Sequence, residues 1–220
     1  GNALQAAAER GMKTVGLTVN GADGKGIGYF EGDDNRVRLT PRHWAYLRIS
    51  EGCNQRCAFC TIPLARGRSR SANIEATLEE AKKAIASGAK EIVLTGVNIG
   101  DFGTAHNETL FELIQKLDEL EGIERYRISS IEPNLLTNEI IAFVSTSKHF
   151  MPHFHIPLQS GSDDILKGMR RRYRTDLYRE RIESIKTAMP HACIGVDVIV
   201  GFPGETEEHF LETYHFLNEM

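Results

Sequence analysis

Three of the four cysteines crowd into one short run, Cys53, Cys57 and Cys60, within Glu51-Gly-Cys-Asn-Gln-Arg-Cys-Ala-Phe-Cys60. A loop can wrap so short a span around a single metal centre. Zinc usually takes four protein ligands when structural, and a 4Fe–4S cluster normally takes four Cys. Only three are local here, and a position left open is where a substrate or cofactor binds, by the logic that separates catalytic from structural zinc. Cys193 lies 133 residues beyond Cys60, at the start of a predicted strand. It belongs on the opposite rim from the loop and is expected to be a buried small apolar residue. The alternative is a zinc site completed by His153 or His155, which alternate onto one face of another predicted strand.

The elements that must position this loop follow a rhythm from residue 42 onward. Strand patterns at 44–50, 91–95, 125–130, 153–157 and 194–200 alternate with helical patterns at 75–87, 108–121, 138–146, 162–189 (one or two helices) and 205–220. Strand then helix, five times, predicts an α/β fold of parallel βα units. The strands are apolar enough to be covered on both faces. Five units fall short of the eight that close a full barrel. The expected architecture is therefore a partial parallel barrel or a doubly wound sheet, with ligands at the carboxyl ends of the strands. The cysteine run follows the first strand, at such an end. Residues 1–41, with eight Gly in the first 32, read as a connecting segment.

Composition excludes several classes. Apolar residues make up 41% and charged residues 25% of 220, which rules out disordered and fibrous chains. No apolar run approaches the length of a membrane span, and no secretory leader is visible. The missing initiator Met and the last predicted helix running to the chain end suggest an excised fragment. The cysteine usage points to a reduced cytoplasm. The net charge is −4, yet residues 42–70 hold six Arg against one Glu, and 167–186 hold eight Lys/Arg against three acids. Two basic segments on an acidic body are a footprint for a polyanion.

The spacing Cys-x3-Cys-x2-Cys after the first strand, with Phe59 directly before the last Cys, resembles the radical S-adenosylmethionine (SAM) enzymes. The likeness narrows through Cys60-Thr-Ile-Pro63, Ala65-Arg-Gly-Arg-Ser-Arg70, Leu94-Thr-Gly-Val-Asn98, Ser129-Ser-Ile-Glu-Pro133, His155-Ile-Pro-Leu-Gln-Ser-Gly161, Met169-Arg-Arg-Arg-Tyr173 and Asp197-Val-Ile-Val-Gly-Phe-Pro-Gly-Glu205. Together, and in this order, these look like the methylthiotransferases from about residue 40 to the end. The resemblance implies a partial barrel of the radical-SAM type, cut after strand five. It implies that Cys53, Cys57 and Cys60 bind three irons of a 4Fe–4S cluster, with SAM on the fourth. An electron through the cluster then cleaves SAM, the resulting deoxyadenosyl radical abstracts a hydrogen from the substrate, and sulfur and a methyl group are added.

By the same resemblance, Phe59 lies against the adenine of SAM, and Gly96, Val97 and Asn98 line its methionine end. Glu132 and Gln159 stand where ribose or methionine contacts occur, and Val198 and Val200 belong to an apolar wall near the adenine. Arg66, Arg68, Arg70, Arg170, Arg171 and Arg172 would hold phosphates, which positions a nucleic acid without reading its sequence. The motifs of the body look like the branch acting at N6-threonylcarbamoyladenosine beside the tRNA anticodon. The head, 40–52, looks more like the branch that modifies an aspartate of a small-subunit ribosomal protein; the body is followed. A different radical-SAM reaction on a small molecule is the remaining alternative. The implied partners are tRNA and an electron donor such as a flavodoxin or ferredoxin, with no membrane. The family's amino-terminal cluster domain and carboxyl-terminal RNA-binding domain have no counterpart here, so the 220-residue chain alone is expected not to complete methylthiolation.

Overall fold

The computed structural model describes residues 43–220; the predicted connecting segment 1–41 lies outside the described residues. Five parallel strands carry the fold: β1 Trp44–Arg48, β2 Glu91–Thr95, β3 Arg125–Ile128, β4 His153–His155 and β5 Cys193–Gly195. Parallel ladders join β1 to β2, β2 to β3 and β4 to β5. Single parallel bridges, Tyr126 to Phe150 and Ser130 to His155, carry the arc across from β3 to β4. The strand order is thus the sequence order, as in a barrel wall left open between its first and last strands.

The helices are α1 Ile62–Arg66, α2 Ile74–Ala86, α3 Leu110–Asp118, α4 Asn138–Thr146, α5 Asp163–Gly168, α6 Thr175–Ala188 and α7 Glu207–Glu219. Their starts are written in side chains that cap the free N–H groups of a first turn. Asn73 accepts from the Ala76 N–H at 2.9 Å ahead of α2. Thr109 and Glu112 cap each other's backbone ahead of α3, at 3.1 and 2.8 Å. Gly88 and Gly122 follow α2 and α3 at φ +92° and +87°, where a side chain would be disfavoured. Replacing Thr109 by Ala is expected to cost about 1 kcal/mol through the lost cap, read as a lower urea midpoint at unchanged slope.

One face of the arc is apolar and meets the helices. Leu47, Ile92, Leu94, Tyr126 and Ile128 pack there with Leu113, Ile114 and Leu117 of α3 in a single core. The other face differs from the expectation of strands covered on both sides. On β1, Tyr46 is 59% exposed and Arg48 is exposed. Across β2 and β3, Glu91 pairs with Arg125 and Arg127. The inner face of the arc is therefore mixed, its charged pairs set beside Tyr46 and the buried Val93, and not the second apolar layer expected.

Strand five is shorter than the predicted 194–200. Its ladder ends at Gly195, and only an isolated bridge between Gln159 and Val198 continues it. Gln159 sits at φ +67°, which kinks the partner segment and breaks the register. Cys193 is exposed, not buried. Among the described residues β5 pairs with β4 alone and stands at the edge of its sheet, so Cys193 stays exposed while Ile194 packs against the core.

Candidate functional site at the carboxyl ends of the strands

The chain leaves β1 directly into the cysteine loop, and the segment 66–70 pins that loop from one side. Glu51 and Arg70 exchange two backbone hydrogen bonds of 2.9 Å, and the Cys53 N–H donates to the Gly67 carbonyl at 3.1 Å. The Glu51 carboxylate is buried at the centre. It accepts from the Arg66 Nη1 at 2.9 Å, the Arg48 Nη1 at 3.1 Å and the Gly52 N–H at 3.2 Å. Burial alone would raise its pKa, but these donors and the two guanidinium charges outweigh it and hold the carboxyl below the ordinary value. Sequence reasoning missed Glu51 as a positioning residue, although the lone acid among six Arg in 42–70 was its signal.

From the other side, the Ala58 N–H donates to the Met169 carbonyl at 3.0 Å, tying the loop to the end of α5. All three cysteines are free thiols; Cys57 is buried, and Cys53 and Cys60 are half-buried. Burial pushes the Cys53 thiol up, helped by the nearby Asp101, Cys57 and Glu132 and opposed by the Gln55 N–H on its sulfur. Among the described residues no three Cys, His, Asp or Glu side chains gather tightly enough to hold a single metal ion. His155, one of the candidates to complete a zinc site, instead faces Asp197, with its Nε2 3.2 Å from the carboxylate. Three soft, free sulfurs spread round one loop are a donor set that fits a polynuclear iron–sulfur centre.

The other candidate residues reach the same rim. Gly96 packs so closely on Ser50 that an added Cβ would lie 2.1 Å from its Oγ. Asn98 is buried, donates to the Asp101 carboxylate at 2.7 Å, and leaves its Oδ1 without a protein partner. Burial raises the Asp101 carboxyl, against the pull of Arg172 and the Asn98 N–H. Val97 lines, with Gly96, Thr95, Ser50, Glu51, Arg48 and Arg66, a cavity of about 430 Å³ between the ends of β1 and β2. Gln159 ends the β4 segment, its N–H donating to the Asp197 carbonyl at 2.8 Å. Phe59 is 40% exposed beside Cys60, whereas Val198 is half-buried and Val200 is 64% exposed. The two valines do not form one continuous buried wall in this structure.

The six arginines part company. Arg68, Arg170 and Arg172 are exposed. Arg66 is held by Glu51, and Arg70 turns its Nη1 onto the carbonyls of Arg66 and Arg68 at 2.7 and 3.2 Å. Arg171 departs from the expected phosphate contact. Its side chain is 4% exposed, pairs with Glu132, and donates Nη1–H to the Cys57 sulfur at 3.2 Å. The turn after α5 explains the split. The Arg171 N–H reaches the Leu166 carbonyl at 2.9 Å and the Arg170 N–H reaches Lys167 at 3.0 Å, with Arg170 left-handed at φ +59°. This is the Schellman ending, at whose left-handed position Gly is the usual occupant. It throws Arg170 and Arg172 outward and Arg171 in.

The sequence profile of the radical SAM superfamily matches residues 47–217. The chain is 46% identical over 183 residues to the threonylcarbamoyladenosine tRNA methylthiotransferase MtaB of Bacillus subtilis, covering 82% of this chain and 41% of that protein. It is 41% identical over 185 residues to the tRNA-2-methylthio-N(6)-dimethylallyladenosine synthase of Streptomyces coelicolor, covering 83% and 37%. The chain thus spans about two fifths of the curated relatives it matches. Among solved structures, the radical SAM methyltransferase TsrM of Kitasatospora setae superposes with a TM-score of 0.68 at 15% identity, over 84% of this chain and 37% of that one. Methylornithine synthase (PylB) gives 0.55 at 14%, over 81% and 51%. These superpositions show a shared fold over the matched parts. With the profile spanning nearly all of the described arc, the chain belongs to the radical SAM superfamily, whose members use S-adenosylmethionine and a 4Fe–4S cluster.

Proposed function

We propose that this chain is the core of a methylthiotransferase acting at N6-threonylcarbamoyladenosine beside the anticodon of tRNA. The observation that carries the reading is the three-thiol loop at the carboxyl rim of an arc that is 46% identical to a threonylcarbamoyladenosine enzyme, against 41% for the dimethylallyladenosine synthase compared. In this reading Cys53, Cys57 and Cys60 each ligate one iron. Gly96, Val97 and Asn98 take the methionine end of SAM, where the buried Asn98 Oδ1 awaits a donor such as its ammonium group. Phe59, Val198 and Val200 flank the adenine, and Glu132 and Gln159 hold polar groups between. When bound, cluster and SAM supply one-electron cleavage of the sulfonium bond; the protein orients them and excludes water. The sulfur source, and the donor of electrons (a flavodoxin or ferredoxin), come from outside residues 43–220. Residues 42–220 act as one catalytic unit, with 1–41 as a connector. No helix among the described residues is long and apolar enough to cross a membrane, and the reaction is placed in the cytoplasm, where tRNA resides.

The test is mass spectrometry of tRNA and of small-subunit ribosomal protein after incubation with the native-length, anaerobically reconstituted enzyme. A methylthio group on the threonylcarbamoyl nucleoside is expected. Modification of the ribosomal aspartate instead, or of neither, overturns the reading. Arg68, Arg170 and Arg172 are the phosphate contacts. Arg170 keeps a charged side chain at a position where Gly would relieve the backbone. Replacing all three by Ala should flatten the slope of log affinity for tRNA against log salt by roughly 2–3, at about 0.7–0.9 per phosphate contact.

A further inference from the structure

We propose that Arg171 is a positioning residue for the cluster, holding the Cys57 sulfur through an N–H···S hydrogen bond and raising the cluster's reduction potential. The geometry uses all three nitrogens of the guanidinium. Nη1 donates to the Cys57 sulfur at 3.2 Å, Nη2 pairs with Glu132, and Nε donates to the Tyr173 hydroxyl at 3.2 Å. That hydroxyl is itself held by the Pro157 and Leu158 carbonyls at 2.8 Å, and its ring lies 5.0 Å beneath the guanidinium. A planar fork fixed at three corners has one orientation, and it aims Nη1 at the sulfur. The Schellman turn that delivers Arg171 also supplies, through Met169, the carbonyl bonded to Ala58, the residue after Cys57. The turn and the loop are therefore one unit.

Adding one electron to a 4Fe–4S cluster makes it and its thiolates more negative. Hydrogen bonds to the sulfurs and nearby positive charge stabilise that reduced state and set the potential. The side chain is nearly buried, so solvent screens this little. Glu132 offsets part of the charge but meets the far nitrogen, leaving the donor on the sulfur. Arg171 thus acts through Cys57 and touches neither SAM nor substrate in this inference. The inference rests on the cluster assignment proposed above and not on the tRNA substrate.

The experiment compares Arg171→Met, Arg171→Lys and Arg172→Ala with the parent, each reconstituted anaerobically. Iron and sulfide per chain, the cluster midpoint by EPR-monitored redox titration, and tRNA affinity are measured. Arg171→Met is expected to shift the midpoint to more negative potential, with a several-fold weaker reduced-cluster signal at fixed poise and tRNA affinity like the parent's. Arg171→Lys keeps the charge but not the fork and should shift the midpoint less in the same direction. Arg172→Ala removes an exposed, solvent-screened charge and should shift the midpoint far less than Arg171→Met. Parent midpoints in both Arg171 variants overturn the inference, as does a loss of tRNA affinity matching Arg172→Ala with no shift. If Arg171→Met binds no iron, Arg171→Lys decides: a negative shift supports the inference and a parent midpoint sinks it. A parent protein that takes up no iron at all sinks the cluster assignment itself, which is a different failure.

Discussion

Cys57→Ala is expected to leave reconstituted protein with iron and sulfide near background and no cleavage of SAM, while Cys193→Ala leaves both at the parent level. Of the three loop thiols, Cys57 is the buried one, and it takes the Arg171 donor on its sulfur. A half-exposed ligand can be replaced by water or an added thiol; an Ala at position 57 leaves a gap that solvent reaches poorly and an arginine aimed at nothing. A cluster normally needs every available thiolate, and only three are local, so no spare cysteine can take over. Cys193 cannot substitute, because it begins β5 while the loop follows the end of β1, on the opposite rim of a parallel arc. The pair of variants is read by iron and sulfide analysis, visible absorbance and deoxyadenosine release. Retention of a full cluster in Cys57→Ala would remove Cys57 from the ligand set; loss of it in Cys193→Ala would mean that the fourth cysteine is a ligand after all.

What the sequence made legible here is what short-range chemistry determines. The Cys spacing names its own loop. Alternating periodicities read as five parallel βα units, but they fit a partial barrel and a doubly wound sheet alike; the sequential order β1 to β5 comes from the strand pairings. The helical patterns begin within about two residues of α2, α3 and α7, whose first turns the structure shows capped by Asn73, Thr109 and Thr206. What stayed hidden depends on contacts distant in the chain. Three consecutive arginines, 170 to 172, look identical as charge, yet a left-handed turn sends the middle one 39 residues back to Glu132 and 114 back to Cys57. Likewise Glu51 read as one acid among arginines, whereas its burial at the hub of Arg48, Arg66 and the Gly52 N–H depends on the 66–70 segment folding back over the loop. The early end of β5 was unreadable for a similar reason: Val196 and Val200 are apolar, but the layer that would cover them is not present among the described residues, so both lie exposed.

The fold-back makes Gly52 the residue on which the loop turns, and Gly52→Ala carries the second large effect. Gly52 sits at φ +70°, and a Cβ there would stand 2.1 Å from the Arg68 carbonyl oxygen and 2.8 Å from that of Gly67. Both are backbone atoms, which cannot swing aside as a side-chain tip would. Gly88 offers the control: its φ is +92°, yet a Cβ there meets nothing within 4 Å. Gly88→Ala therefore carries only the left-handed penalty, about 1 kcal/mol. Gly52→Ala adds the strain of forced overpacking, typically 1–3 kcal/mol more. It relieves that strain by pushing the 66–70 segment away. Doing so breaks the Cys53 N–H bond to Gly67 and the paired bonds between Glu51 and Arg70, and the Arg66 guanidinium leaves Glu51. The carboxylate then remains buried with fewer donors, which is costlier still. Both variants should show a lower denaturation midpoint than the parent. Only Gly52→Ala should also bind iron poorly, because the lost contacts are those that hold Cys53 in place. Equal midpoints and equal iron in the two variants would mean that the 66–70 segment does not brace the cysteine loop.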